Sequence, residues 1–151
     1  MRIIAHSKAG LSTWVYLEPL RILMDLGEGC NDTLEGHALG VREVLLSHSH
    51  QDHWAGLIAL MAGRTVELFG RKRPLAPLRI LYPKASPMLE ELFRFLGYDT
   101  PELDKLVQLQ PMEPGQQVQC LFRPDVTITA VRVHHMEHEL CLGYRLDQAR
   151  T

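Results

Sequence analysis

The sequence predicts a layered α/β or α+β fold. β-branched and leucine-rich runs crowd the beginning and the end of the chain, and two segments with apolar side chains at helical spacing interrupt them. Glycine and proline punctuate most of the junctions. Strands in runs with helices set between them bury their apolar faces by stacking into layers.

Residues 2–6, 13–17 and 21–26 read as strands, with Gly10 and the Glu18-Pro19 pair marking the turns between them. The third runs into DLGEG, residues 25–29, where Gly27 and Gly29 allow a sharp turn without a Cβ penalty. A short polar, glycine-containing link leads to residues 41–47, a continuous apolar run that predicts a buried strand. Residues 54–61 predict a short buried helix that stops at Gly63. After Pro74 and Pro77, residues 78–82 read as the next strand. Ser86 is a candidate N-cap for an amphipathic helix with the stripe Met88, Leu89, Leu92, Phe93 and Leu96, ending at Gly97. Strands at 105–109, 117–123, 126–134 and 141–147 complete the chain. No repeat, low-complexity tract or linker divides it, so a single domain over residues 1–151 is expected.

The 151 residues are 46% apolar and 23% charged, enough for one substantial core and too apolar for disorder. A net charge of -2 supplies no global positive field for nucleic acid, leaving only a local patch at Arg71, Lys72 and Arg73. Cys30, Cys120 and Cys141 are odd in number and contain no C-x-x-C pair. They read as reduced thiols, and the expected location is the cytoplasm. No signal peptide is expected at the N-terminus, and no segment reaches the roughly 18 uninterrupted apolar residues of a membrane span, so no membrane partner is expected.

The chemistry concentrates in LLSHSHQDHWAG, residues 45–56. His48 and His50, spaced H-x-H, can point the same way from an extended segment into one divalent ion, whether zinc, manganese or iron. Asp52 and His53 are adjacent, so they suit a chain already turning and a second ion a few ångströms away. Singly, each reads as a surface or structural residue, Asp52 as the cap of the helix near Trp54. Of eight histidines, however, His48, His50 and His53 form one group and His134, His135 and His138 another. Gathering so many imidazoles beside apolar strands is costly without a cation to satisfy them.

HSHQDH resembles the H-x-H-x-D-H signature of the metallo-β-lactamase superfamily, in its usual setting between an apolar strand and WAGL. DLGEG and LGYRL, residues 142–146, are similar to the ribonuclease Z branch, which cuts the 3′ trailer from precursor transfer RNA. The resemblance implies an αββα sandwich, of which this chain would hold the N-terminal part, a mixed sheet with helices on one outer face. It implies two zinc ions, with His48 and His50 on the first and Asp52 and His53 on the second. Asp52 would also be the catalytic proton acceptor.

The first zinc would take a third histidine from the strand end before the GYR segment. His135 comes first by its position two residues after Val133, then His138 by its closeness to Gly143, then His134. Alternation through Thr127, Thr129 and Val131 puts Val133 and His135 on one face, although strand ends bend.

The family's bridging carboxylate, a further histidine for the second zinc and a glutamate-histidine pair would lie beyond Thr151. The domain is therefore expected to be truncated, or to complete itself with another copy as a homo-oligomer, in line with the exposed apolar face of half a sandwich. The implied function is zinc-dependent endonucleolytic hydrolysis at the 3′ side of precursor transfer RNA. The alternatives are a small-molecule phosphodiesterase or other hydrolase of the superfamily and a non-catalytic metal-binding form. Trp54, Tyr144 and Arg145 read as core in preference to substrate contacts, and Glu28 as a turn residue without catalytic duty.

Overall fold

Two cores form because the middle strands alternate between them. The structure, a computed structural model, describes residues 2–70, 75–97 and 106–149, the side chains of 68–70 excepted. The Arg71-Lys72-Arg73 patch and the predicted strand start at Lys105 lie outside the described residues. A six-stranded sheet runs in sequence order from β1 (Ile3–Lys8) through β2 (Ser12–Leu17), β3 (Ile22–Met24), β4 (Glu43–Leu45) and β5 (Leu78–Pro83) to β6 (Val107–Met112). The first three strands pair antiparallel and the last four parallel.

Pairing aligns Tyr16, Leu23, Val44, Ile80 and Leu109 in one row across the sheet. That row faces α1 (Cys30–Leu34), α2 (Leu57–Gly70) and α3 (Pro87–Phe95), whose Cys30, Leu34, Leu57, Leu60, Leu89 and Phe93 share its core. The neighbouring residues Ile22, Leu45 and Leu81 point the opposite way. They meet Val126, Ile128, Ala130 and Leu142 of an antiparallel sheet made of β7 (Gln117–Gln119), β8 (Val126–Val133) and β9 (Cys141–Gln148). Each fully buried Leu or Ile contributes about 1.5–3 kcal/mol, which is why continuous apolar runs mark the doubly covered strands. The layer order of helices, mixed sheet and second sheet is the expected N-terminal part of the sandwich, with helices on one outer face. On the far side of the second sheet, Val131 and Val133 remain 42% and 41% exposed.

A carboxylate ties the two sheets together. Glu43, 0% exposed, accepts hydrogen bonds from Arg79 and from the Leu121 N–H at 2.9 Å, while the same guanidinium donates to the Gln119 carbonyl.

Three expectations needed correction. The link before residue 41 contains helix α1 and a 3-10 turn, Glu35–Gly40. Helix α2 does not stop at Gly63 but continues to Gly70. One turn-breaking glycine costs a helix only about 1 kcal/mol relative to alanine, and beyond it Arg64, 1% exposed, anchors the helix to the carbonyls of Leu39, Val41 and Ala76. Finally, β7 ends at Gln119, where the sequence suggested a strand through residue 123. The other strand boundaries lie close to those expected.

Candidate metal centre

β4 delivers the chain to the site. After Leu45 the Leu46 N–H still pairs with the Leu81 carbonyl at 2.8 Å, and the chain carries Ser47, His48, Ser49 and His50 past the end of β4. It then closes into a 3-10 turn, Gln51–His53, in which the His53 N–H returns to the His50 carbonyl at 3.0 Å. Gly27 provides room for this turn. A Cβ there would lie 2.5 Å from the Asp52 carbonyl oxygen, so close approach requires this glycine. At Gly29, by contrast, φ is +75° and conformational freedom is the reason.

The turn is built on Asp25. Its backbone takes φ +56°, a left-handed conformation that Asp tolerates better than most residues. One carboxylate oxygen accepts the Ser47 N–H at 2.8 Å; the other accepts the Ser47 hydroxyl at 2.9 Å and His53 Nδ1 at 2.7 Å. A carboxylate only accepts, so His53 carries its proton on Nδ1. The bond to Asp25 raises the His53 pKa against the lowering effect of burial.

The Ser47 hydroxyl spends its single proton on Asp25, so at 2.8 Å from His48 Nδ1 its oxygen accepts from the ring. That fixes the His48 tautomer and leaves the Nε2 lone pair facing His50 Nδ1, 3.0 Å away. Burial, followed by the neighbouring His53, pushes the His48 pKa down to about 4. The ring is therefore neutral at pH 7, the form a metal ligand needs.

His135 completes the group from the other sheet. The chain leaves β8 at Val133 and bends, and the His135 ring lies 4.7 Å from the His48 ring and 5.4 Å from that of His50, centroid to centroid. One ligand atom from each of His48, His50 and His135 lies within 4.8 Å of the others. Two imidazole nitrogens on one tetrahedral zinc stand about 3.3 Å apart, from Zn–N bonds of about 2.0–2.1 Å. The 3.0 Å separation and the neutral, oriented His48 ring are compatible with a divalent metal.

Asp52 and His53 occupy the adjoining position. The Asp52 carboxylate accepts the Gly10 N–H at 3.1 Å and lies 3.5 Å from His53 Nε2, and the His53 ring is 4.2 Å from that of His48. His138 does not join the group: its side chain is 96% exposed, with Nε2 4.0 Å from Glu137. His134 is likewise exposed on the same loop. Trp54 and Tyr144 serve packing, each with its polar atom on a backbone carbonyl, of Ser49 and Leu46 respectively, while exposed Arg145 pairs with Asp147. Sequence reasoning assigned no role to Asp25 and Ser47. An aspartate closing an apolar strand directly before a glycine turn was the available signal, since a carboxylate sunk there needs partners.

The sheet order is that of the metallo-β-lactamase fold, and the histidine group beside it is compatible with metal binding. The family model for the beta-lactamase superfamily domain matches residues 21–151, and the chain belongs to that superfamily. Ribonuclease Z of Archaeoglobus fulgidus is 29% identical over 119 residues, covering 77% of this chain and 35% of the relative. Ribonuclease Z of Pyrococcus horikoshii is 35% identical over 89 residues, covering 57% and 27%. The chain thus spans about a third of the length of these relatives. Among solved structures, the metallo-beta-lactamase fold protein YhfI from Bacillus subtilis matches with a TM-score of 0.68 at 23% identity, over 91% of this chain and 52% of that one. A B3 metallo-beta-lactamase with an active-site glutamic acid matches with 0.57 at 13% identity, over 98% and 55%. Both show a shared fold. No helix among the described residues is long and apolar enough to cross a membrane.

Proposed function

We propose that this chain contributes the first-metal half of a zinc-dependent phosphodiesterase of the ribonuclease Z type, acting endonucleolytically at the 3′ side of precursor transfer RNA. One observation carries the reading: three imidazoles from two distant segments bring ligand atoms within 4.8 Å of one another. In this reading His48, His50 and His135 hold one zinc, and Asp52 and His53 are donors toward a second. Bound zinc would polarise a phosphoryl oxygen and make a water acidic enough to attack at neutral pH.

The chain's own residues do the rest. Asp25 and Ser47 hold the His53 and His48 imidazoles in the tautomers that ligation needs. The Gly10 N–H orients Asp52 to take up a proton. His50 borders a cleft of about 440 Å³ lined by Gly10, Leu11, Glu28 and Asp52, and His135 borders another of about 500 Å³ with Arg132 and His134 on its wall, leaving room for a substrate on either side.

Incubating zinc-loaded full-length protein with a precursor transfer RNA, with and without chelator, tests this. Chelator-sensitive cleavage at the 3′ side is expected, and persistent absence of cleavage excludes the reading. A second reading is a hydrolase of small phosphodiesters, favoured by the net charge of -2. Hydrolysis of bis-p-nitrophenyl phosphate without RNA cleavage selects it. A third is a non-catalytic metal-binding form; metal uptake with no turnover of either substrate selects it. Exposed Val131 and Val133 favour association of this sheet face with a second copy. A monomer with a cooperative melt in gel filtration and calorimetry defeats that part.

A further inference from the structure

Glu139 lies on the loop between β8 and β9, four residues after His135. Its carboxylate receives the hydroxyl protons of Ser49 and Ser86. Among the described residues, these are the side-chain hydrogen bonds that fasten the 134–140 loop to other elements of the fold. Ser49 stands between His48 and His50. Ser86, 0% exposed, occupies the N-cap position of α3, yet makes no side-chain cap bond, because its hydroxyl is turned to Glu139. Pro87 at the first position of α3 brings no N–H, so the positive end of this nine-residue helix faces a carboxylate supplied by a distant loop.

We propose that Glu139 is the positioning residue of the histidine group: it locks the loop bearing His135 onto the segment bearing His48 and His50, with α3 as the fixed anchor. The loop needs such a lock. His134, Glu137 and His138 project into solvent, and β8 ends at Val133, two residues short of His135. With the three segments pinned at one carboxylate, the His135 ring stays 4.7 Å from the His48 ring. Without it, that distance depends on a loop with few other ties. The inference rests on the reading of the three histidines as a metal centre.

The test uses the full chain with Co²⁺ as the probe, together with Glu139→Ala, Glu139→Gln and His135→Ala. In Glu139→Ala, Co²⁺ affinity falls about 10–100-fold, the range for groups that orient ligands, and the visible Co²⁺ spectrum takes on that of His135→Ala. Glu139→Gln, which still accepts hydroxyl protons through its amide oxygen, restores most of the parent spectrum. In the metal-free protein, the NMR contact between the His48 and His135 rings disappears in Glu139→Ala. Val126→Ala, a destabilising change in the core between the sheets, leaves the spectrum unchanged and separates positioning from simple loss of stability. If Glu139→Ala does not fold, Ser49→Ala is read in its place with the same expectation. A parent that binds Co²⁺ and variants with its affinity and spectrum overturn the proposal alone. A parent that binds no Co²⁺ overturns the metal-centre reading with it.

Discussion

Asp25 Oδ2 lies 2.7 Å from His53 Nδ1, and the same oxygen accepts the Ser47 hydroxyl whose oxygen in turn faces His48 Nδ1. One buried carboxylate thereby orients two histidines, on opposite sides of a single turn. Asp25→Asn keeps the tolerance for φ +56° but loses the charge and one acceptor. Hydrogen bonds to charged groups contribute about 1.5–3 kcal/mol each. The variant is expected to lose stability on that order in denaturant unfolding of the metal-free protein, and to bind zinc about 10–100-fold more weakly in a competition titration.

Removing a ligand costs more than removing its support. His48→Ala, His50→Ala and His135→Ala should each lower zinc affinity by more than about 100-fold. His134→Ala and His138→Ala, whose side chains lie in solvent, should leave it within about threefold. Equilibrium dialysis across the five variants measures the ordering, and a His138→Ala loss as large as that of His135→Ala would mean the loop adopts another arrangement when metal binds.

Glu43 predicts a purely structural phenotype. Truncating it to alanine removes the carboxylate partner of the Arg79 guanidinium, whose side chain is 11% exposed and keeps only the Gln119 carbonyl, and the acceptor of the Leu121 N–H. Breaking a buried pair in this way costs about 3–5 kcal/mol. Chemical denaturation should show that loss in Glu43→Ala. Zinc affinity of the folded fraction should stay unchanged, because no ligand touches this clamp.

Burial pushes the Cys30 thiol up to about 12. The folded state therefore holds its proton where the unfolded chain, with a thiol near 8.5, has released it. The sign follows: this contribution to stability is intact below about pH 8.5 and is lost as pH rises toward about 12, with a slope of at most about 1.4 kcal/mol per pH unit. Unfolding curves of the parent and Cys30→Ala at increasing alkaline pH should converge, and parallel curves would show that Cys30 does not couple folding to pH.

The local periodicities of β2, β5, β8 and β9 were legible because a strand's faces repeat every two residues, and the stripe of α3 because a helix repeats every 3.6. The HSHQDH cluster was legible for a different reason: ligands delivered by one short turn must sit close together in sequence. Helix α1 was missed since five residues after two glycines carry too little pattern to read. Helix α2 was cut short because its continuation past Gly63 is stabilised by Arg64 and the carbonyls of Leu39, Val41 and Ala76, contacts that no local window contains.

By itself, then, the sequence determined the layered fold and two of the three members of the histidine group, His48 and His50, since both follow from spacing along the chain. The tertiary structure alone decided that His135 approaches His48 and His50 while His138 stays in solvent, because that choice depends on where β8 ends and how its loop bends. It alone showed Asp25 and Ser47 fixing the tautomers and Glu139 bridging Ser49 to Ser86. Those partners lie from 22 to 90 residues apart, and their meeting is set by strand pairing across the sheet and the stacking of the second sheet upon it.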